Sequence, residues 1–199
     1  MHIYDIQSNK VVGKPFTHSV EVQQIALSNG LPRFLAIVDA NRNLHITPLL
    51  RSDWKLEKFG TMVLSLAWHE TSCMLSAFCD GRFSVWVAPG TVYVDKSILA
   101  TTRLDRDATE FGKAPTIVSF SGDSCIVRRA DGTVLTSNAL SHAPILLGLL
   151  QDRRWDQAAR LCRFVKVCRS VRSPSRRNRL FIVCFVADIG SKYLYHYNF

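Results

Sequence analysis

Residues 60–89 read GTMVLSLAWHETSCMLSAFCDGRFSVWVAP, three short apolar runs cut by turn residues. In the first, residues 61–68, Met62, Leu64, Leu66 and Trp68 fall on one side of an extended chain, and Val63, Ser65 and Ala67 on the other. Both sides are apolar or small, the pattern of a strand packed on two faces. Residues 74–79 and 83–88 form the second and third runs, joined by Asp80-Gly81. Asp-Gly between two apolar runs is a strong hairpin signal, because a type I′ turn places both central residues at positive φ. Pro89-Gly90 closes the unit. A three-strand meander of this size cannot bury both faces alone and needs neighbours of its own kind.

The chain supplies them on both sides. Upstream, residues 22–27, 33–39 and 43–49 repeat the pattern with Asn41-Arg42 at the turn; downstream, residues 116–120, 124–129 and 133–137 repeat it with Asp131-Gly132. Aligning the turns places Thr47, Trp86 and Thr136 in one slot of the last strand, to within one residue, and Tyr4 stands in that slot of an earlier unit's tail. The successive intervals, 43, 39 and 50 residues, fit the period of WD40-type propeller blades, which build several strands into each roughly 40–45-residue repeat. A generic meander or sandwich also spaces its strands evenly. In a propeller, Trp86 occupies the slot where a strand packs against the next blade and is expected to be buried. An arc of three full blades would leave two faces bare, lined by residues such as Leu64, Leu66, Val85 and Ile117.

The 199-residue chain is 47% hydrophobic, enough for a core, and carries a formal charge of +9. That charge resembles a nucleic-acid or membrane signature, but its distribution argues otherwise. Residues 167–199 hold Arg169, Arg172, Arg176, Arg177, Arg179 and Lys192 against Asp188, a net +5, leaving +4 for the rest. No signal peptide is expected from the alternating polar and apolar N-terminus. The longest apolar run, residues 180–187, is too short for a membrane-spanning helix. Cys73, Cys79, Cys125, Cys162, Cys168 and Cys184 form no C-x-x-C pair and read as reduced, mostly buried residues of an intracellular protein.

Between the blade units, residues 51–59 are polar apart from Trp54, Leu56 and Phe59 and are expected to cover the outer edge of their blade. Residues 91–114, bearing Asp95, Lys96, Arg103, Asp105, Arg106, Asp107, Glu110 and Lys113, read as a solvated insertion with a short outer strand at 91–94. After Pro144 the period becomes helical. Ile145, Leu146, Leu149 and Leu150 mark one helix; Trp155, Ala158, Ala159, Leu161, Cys162 and Val165 mark a second, with Asp152 as its expected N-cap. Such a pair fits either the start of a helical-repeat solenoid or a cap on the propeller. Residues 167–179, VCRSVRSPSRRNR, are basic, lack any apolar period and are expected to be disordered. The fold expected is therefore mainly β: residues 1–139 a partial WD40-type β-propeller of about three blades, 140–166 a helical pair, and 167–199 a divergent basic and apolar tail.

No catalytic constellation is expected. There is no G-x-S-x-G elbow, no Gly-rich phosphate loop and no H-E-x-x-H, and the carboxylates Asp95, Asp105, Asp107 and Glu110 share one polar insertion. Ser119, Ser121 and Ser124 near Asp123 read as strand-end and turn residues. His69, Cys73 and Cys79 invite a zinc reading, but they spread over two strands and offer no fourth ligand. Catalytic, cofactor and metal residues are all expected to be absent, and no surface is singled out for a partner.

Several segments in order carry a family resemblance: His18-Ser19-Val20-Glu21-Val22, DANRNLHIT at 39–47, GTMVLSLAW at 60–68, Arg82-Phe83-Ser84-Val85-Trp86, Tyr93-Val94-Asp95, Glu110-Phe111-Gly112-Lys113, IVRRADG at 126–132 and WDQAARLCRFVK at 155–166. Together they resemble the second propeller and first solenoid helices of the WD-repeat subunits of intraflagellar transport complex B. The resemblance implies a non-enzymatic scaffold in the trains that kinesin and dynein motors move along the axoneme, required for cilium assembly. It implies other complex B subunits as partners, the motors indirectly, and a location at the ciliary base and axoneme with a cytoplasmic pool. No nucleic-acid partner, membrane span or cofactor follows from it. The first propeller and the opening blades of the second have no counterpart in this sequence, and from Val167 the tail departs from the family's helical pattern, so a truncated isoform or fragment is expected. Two other readings are a basic RNA- or membrane-associated protein acting from Arg169 to Arg179, and a WD-repeat subunit of another coat-like transport complex.

Overall fold

The structure is a computed structural model and describes residues 2–11, 15–30, 32–49, 55–139 and 142–165. The expectations for the basic tail at 167–199 and for Trp54 lie outside the described residues. A two-stranded ribbon, β1 (Tyr4–Asp5) with β2 (Lys10–Val11), precedes three antiparallel sheets. The first sheet runs β3 (Val22–Leu27), β4 (Phe34–Asp39), β5 (Leu44–Pro48), β6 (Glu57–Gly60). The second runs β7 (Ser65–Trp68), β8 (Leu75–Cys79), β9 (Arg82–Trp86), β10 (Arg103–Asp107), and the third β11 (Thr116–Ser121), β12 (Ser124–Arg128), β13 (Val134–Asn138). Each sheet is a meander in chain order, and the leading strands touch in sequence, β3 with β7 and β7 with β11. Separate meanders joined through their first strands are the layout of propeller blades, not of one continuous sheet.

Specific hydrogen bonds lock blade to blade. Trp68 Nε1 donates to the Ala26 carbonyl at 3.0 Å, tying β7 to β3. Ile117 N donates to Ser65 Oγ at 2.9 Å, and Glu70 N to the Phe120 carbonyl at 2.9 Å, tying β11 to the second blade. One bond recurs in all three blades: the first residue of each central turn (Ala40, Asp80, Ala130) donates its N–H to the segment before the leading strand, at Glu21, Thr61 and Lys113. The three turns differ in length all the same. Asp80 and Gly81 sit at φ 53° and 70°, the two-residue type I′ turn their identities demand. The other two loops close through Asp39 N to Asn43 O and Arg129 N to Thr133 O, each with one residue more and a left-handed last position, Arg42 or Gly132. That extra residue corrects the slot alignment. Counted from the turn, Ser137 and not Thr136 matches Thr47 and Trp86; Ser137 is buried and Thr136 is exposed.

The core lies between the blades. Phe34, Ala36, Val38, Leu44, Ile46 and Phe59 of the first blade pack on Leu66, Trp68, Leu75, Ala77 and Trp86 of the second. On the second blade's opposite face, Phe78, Phe83 and Val85 pack on Ile117, Phe120, Cys125 and Val127 of the third. Strand alternation puts Trp86 on the face opposite Val85, so it meets the preceding blade and not the next one; its ring meets Phe59 edge-on at 5.5 Å. Leu66, Val85 and Ile117 are likewise interior to the arc, against the expectation that they line bare faces. Ile25 and Leu27 on the first blade, and Val118 and Val134 on the third, are the exposed apolar side chains there. The first run is shorter than expected: Met62 takes φ 52° and Leu64 is 52% exposed, so the strand begins at Ser65.

Residues 91–114 are not a solvated insertion. A short 3-10 turn (Pro89–Tyr93) and α1 (Lys96–Thr101) bury Thr91, Val92, Ile98 and Thr102, and the outer strand is β10 rather than residues 91–94. Of the charged residues that suggested solvent, Arg103, Asp105, Arg106 and Asp107 belong to this strand, whose residues all pair with β9, while Asp95 and Lys96 open α1 and Glu110 and Lys113 follow the strand. The described end of the polar linker forms the outer strand β6 of the first blade, covering that edge as expected, while its residues 51–54 lie outside the described residues.

Helices α2 (His142–Gln151) and α3 (Trp155–Val165) share the core of the second and third blades. Ile145, Leu146, Leu149, Ala158, Leu161 and Cys162 are buried in one cluster with Phe78, Phe83 and Ile117. Asp152 lies before α3 but is not its cap: Ala158 N bonds the Arg154 carbonyl, and Arg153 takes φ 57° to turn the chain. Gly90 marks how closely the segment before α1 is held, because a Cβ there would sit 2.5 Å from Phe34 Cζ and 3.1 Å from Phe164 Cζ. Gly90→Ala is therefore expected to cost on the order of 1–3 kcal/mol through overpacking. Chemical denaturation reads this as a lowered midpoint; an unchanged midpoint would mean that the aromatic rings yield freely.

Candidate functional site

The described side chains richest in chemistry are the histidines, cysteines and carboxylates, and the fold commits most of them to structure. Asp95 caps α1, accepting from Ser97 N at 3.1 Å, and binds Arg160 of α3 at 2.5 Å; Asp156 holds the same guanidinium at 2.8 Å. Asp105 accepts from Ser84 Oγ at 2.7 Å and Arg103 Nε at 2.7 Å, fastening β10 to β9. Asp107 caps the following turn through Thr109 N and Oγ1. Tyr93 donates its hydroxyl to the Ile46 carbonyl at 2.5 Å, binding this region back to the first blade.

His69, Cys73 and Cys79 are not brought together. His69 Nδ1 accepts from the backbone N–H groups of Thr71 and Ser72 at 3.2 and 3.0 Å, which places the proton on Nε2, 3.0 Å from the Gly122 carbonyl. Cys73 Sγ faces the Pro32 carbonyl, and Cys79 Sγ faces Ser84 in the core. Burial pushes the Cys73 and Cys79 thiols up, and Cys125, fully buried, up to about 11. Thiolate is the reactive form, so among the cysteines of the described residues Cys73, the half-buried one, should alkylate first and Cys125 only on unfolding. Peptide mass spectrometry after brief iodoacetamide treatment checks this order; early native labelling of Cys125 would contradict the burial.

A different cluster does assemble on the first blade. His18 precedes β3, Asp39 ends β4, and His45 is the second residue of β5. The three-residue loop between β4 and β5 returns Asn43 so that its N donates to Asp39 Oδ1 at 2.9 Å and its Nδ2 to Oδ2 at 3.0 Å. His45 Nε2 lies 3.3 Å and His18 Nε2 3.7 Å from the same Oδ2. The carboxylate is 3% exposed, and the imidazoles of His18 and His45 are 12% and 15% exposed. The rings meet edge to face with centroids 5.3 Å apart, and Phe16 stacks on His18. Burial acts to raise the Asp39 pKa, but the two bonds from Asn43 and the nearby His45 outweigh it and hold the carboxyl at about 2. Burial lowers the His45 pKa, only partly offset by Asp39. His18 Nε2 is buried with no hydrogen-bond partner. Among the described residues this is the one group of three or more such side chains whose donor atoms converge, all within 4.8 Å. The sequence reading missed it, although His18, Asp39 and His45 all fall within quoted family segments. The available signal was His45 six residues after a turn-initiating Asp39, with His18 at the entry of the same blade.

Blades in chain order, cores between them and leading strands side by side define a WD-type β-propeller protein. A family model described as the IFT80 second beta-propeller matches residues 1–142. The chain belongs to that family. The mouse (Mus musculus) and rat (Rattus norvegicus) proteins named intraflagellar transport protein 80 homolog are each 43% identical to it over 159 residues, 77% of this chain and 20% of theirs. The chain thus spans about a fifth of the length of the curated relatives it matches.

Proposed function

We propose that this chain contributes a rigid propeller surface to intraflagellar transport complex B, as a non-enzymatic scaffold for the protein contacts that support cilium assembly. The family match over residues 1–142 carries this reading. It is supported by the commitment of Asp95, Asp105, Asp107 and His69 to caps, strand staples and blade contacts rather than to an open cleft. On this reading residues 1–139 form the propeller segment, and 140–166 the first helices of a solenoid whose direction is fixed where Arg160 clasps Asp95. Its partners are other complex B subunits and, through them, kinesin and dynein motors. It resides at the ciliary base and axoneme, with a cytoplasmic pool.

The test is expression of the epitope-tagged chain in ciliated cells, followed by gradient sedimentation and imaging. Comigration with complex B markers and enrichment in cilia are expected. A distribution matching that of the tag alone, with no comigration, would sink the proposal.

A further inference from the structure

We propose that His18, Asp39 and His45 form a binding site for a divalent cation of the zinc type. This is independent of the scaffold reading, and it departs from the expectation that the chain holds no metal ligands. Two imidazole nitrogens and one carboxylate oxygen are a donor set suited to borderline cations, and a three-residue set leaves the fourth position to water. The spacing fits. With metal–donor bonds of about 2.0–2.1 Å at tetrahedral angles, donor atoms stand about 3.3–3.5 Å apart. Here two of the separations are 3.3 and 3.7 Å, and the third is within 4.8 Å. Turning the two imidazoles so that their ring nitrogens approach by up to about 1.5 Å closes the widest of these gaps.

Three further observations point to a ligand. His18 Nε2 is buried without a partner, and a cation supplies one. Asp39 is oriented by two bonds from Asn43, the kind of outer support that holds a metal-ligating carboxylate in place. The imidazoles of His18 and His45 retain 12% and 15% exposure, so the cluster lies near enough to the surface for an ion to enter as the rings turn, although His18 Nε2 is itself buried. Ligation requires His45 to move its proton from Nε2 to Nδ1, exchanging its bond to Asp39 for a metal bridge, and requires both rings to be neutral. Asp39 brings the one negative charge in the donor set; Lys58 lies near enough to His45 to oppose a cation, which limits affinity to a modest range.

The experiment titrates the full chain with Zn²⁺ by calorimetry at about pH 7.5, where imidazole is largely neutral, and with Co²⁺ by absorption spectroscopy. One ion per chain is expected, with visible d–d bands, no near-ultraviolet thiolate charge-transfer band, and a melting temperature raised by zinc. His18→Gln and His45→Gln should each weaken binding roughly tenfold or more. His18→Gln breaks no hydrogen bond at Nε2 but gives up the ring contacts with Phe16 and His45, so each variant is compared with its own metal-free melting temperature, and the rise on adding zinc should vanish. If that variant does not fold, His45→Gln carries the comparison. Zinc binding that is absent in wild type, or unchanged in the folded variants, overturns the site. A thiolate band assigns the ion to cysteine and overturns it equally.

Discussion

Replacing Trp86 with alanine should remove about 3–5 kcal/mol and abolish the cooperative unfolding transition. Trp86 is 1% exposed at the centre of the contact between the first and second blades. It ends β9 in register with Leu75 on one side and Arg103 on the other, so both neighbouring strands fix its backbone. Phe59 reaches it edge-on from the first blade, and the Arg103 guanidinium lies 5.2 Å from its ring centre. Truncation loses the apolar burial, the aromatic pair and the cation–π contact, and leaves a cavity bounded by two sheets that are themselves fully paired and cannot collapse into it. Since net domain stability is commonly only about 5–15 kcal/mol, a loss of this size consumes much of it. Circular dichroism during heating would show a broad, early loss of signal. A sharp transition within a few degrees of wild type would mean that the blades are held together elsewhere. Trp86→Phe, which keeps a ring against Phe59, should recover most of the difference.

The blades were legible because strand alternation and turn chemistry act over a few residues. Asp80-Gly81 specifies its turn by backbone sterics alone, and the apolar runs at 34–39 and 75–79 announce strands with two buried faces. What failed depends on long-range pairing. The outer strand Arg103–Asp107 reads RLDRD, with no apolar alternation, because an edge strand is held by its backbone bonds and needs little apolar burial; Leu104 packs on the core while Arg103 and Asp105 fasten the strand to Trp86 and Ser84. Its charges looked like a loop. Conversely, Leu64 looked like core, although residues 61–64 form the entry to the blade, where Met62 adopts a left-handed backbone. The direction of Trp86 depended on the parity of a strand whose start was uncertain by one residue, and such a shift exchanges the two faces.

The candidate site was less legible still. His69, Cys73 and Cys79 lie within eleven residues of one another, and that nearness drew attention to them, yet each is turned to a different partner. His18 and Asp39 are far apart in the chain and meet because β3 and β4 pair with Val22 opposite Asp39, bringing the residues before β3 beside the end of β4. Only the register of that pairing makes a cluster of them. The helix pair shows the same limit: the period at 145–165 reveals two helices, but their apolar seam does not say that it faces Phe78 and Ile117.

Asp39→Ala should cost roughly 3–5 kcal/mol near neutral pH, because it strands buried groups that the carboxylate now serves. Asn43 N and Nδ2 lose their acceptor, and His45 loses the partner that partly offsets its burial. Asp39→Asn keeps the shape and removes the charge, and its pH dependence separates electrostatics from packing. The carboxyl is held at about 2 against an ordinary 3.8, so it contributes about 2 kcal/mol of stability above pH 4 that is lost as pH falls toward 2. Denaturation of wild type and Asp39→Asn should therefore differ by about that amount near pH 7 and converge between about pH 4 and 2. A second signature runs at higher pH. The folded His45 has a lowered pKa, so below about 6.5 the unfolded chain binds the proton first and stability falls with pH. Without the Asp39 charge that depression deepens, and the variant's decline below about pH 6.5 should be steeper than that of wild type. A stability difference constant from neutral to acid pH would show that Asp39 acts only as a shape in the turn, and that its charge does not hold β4, β5 and the entry to the first blade together.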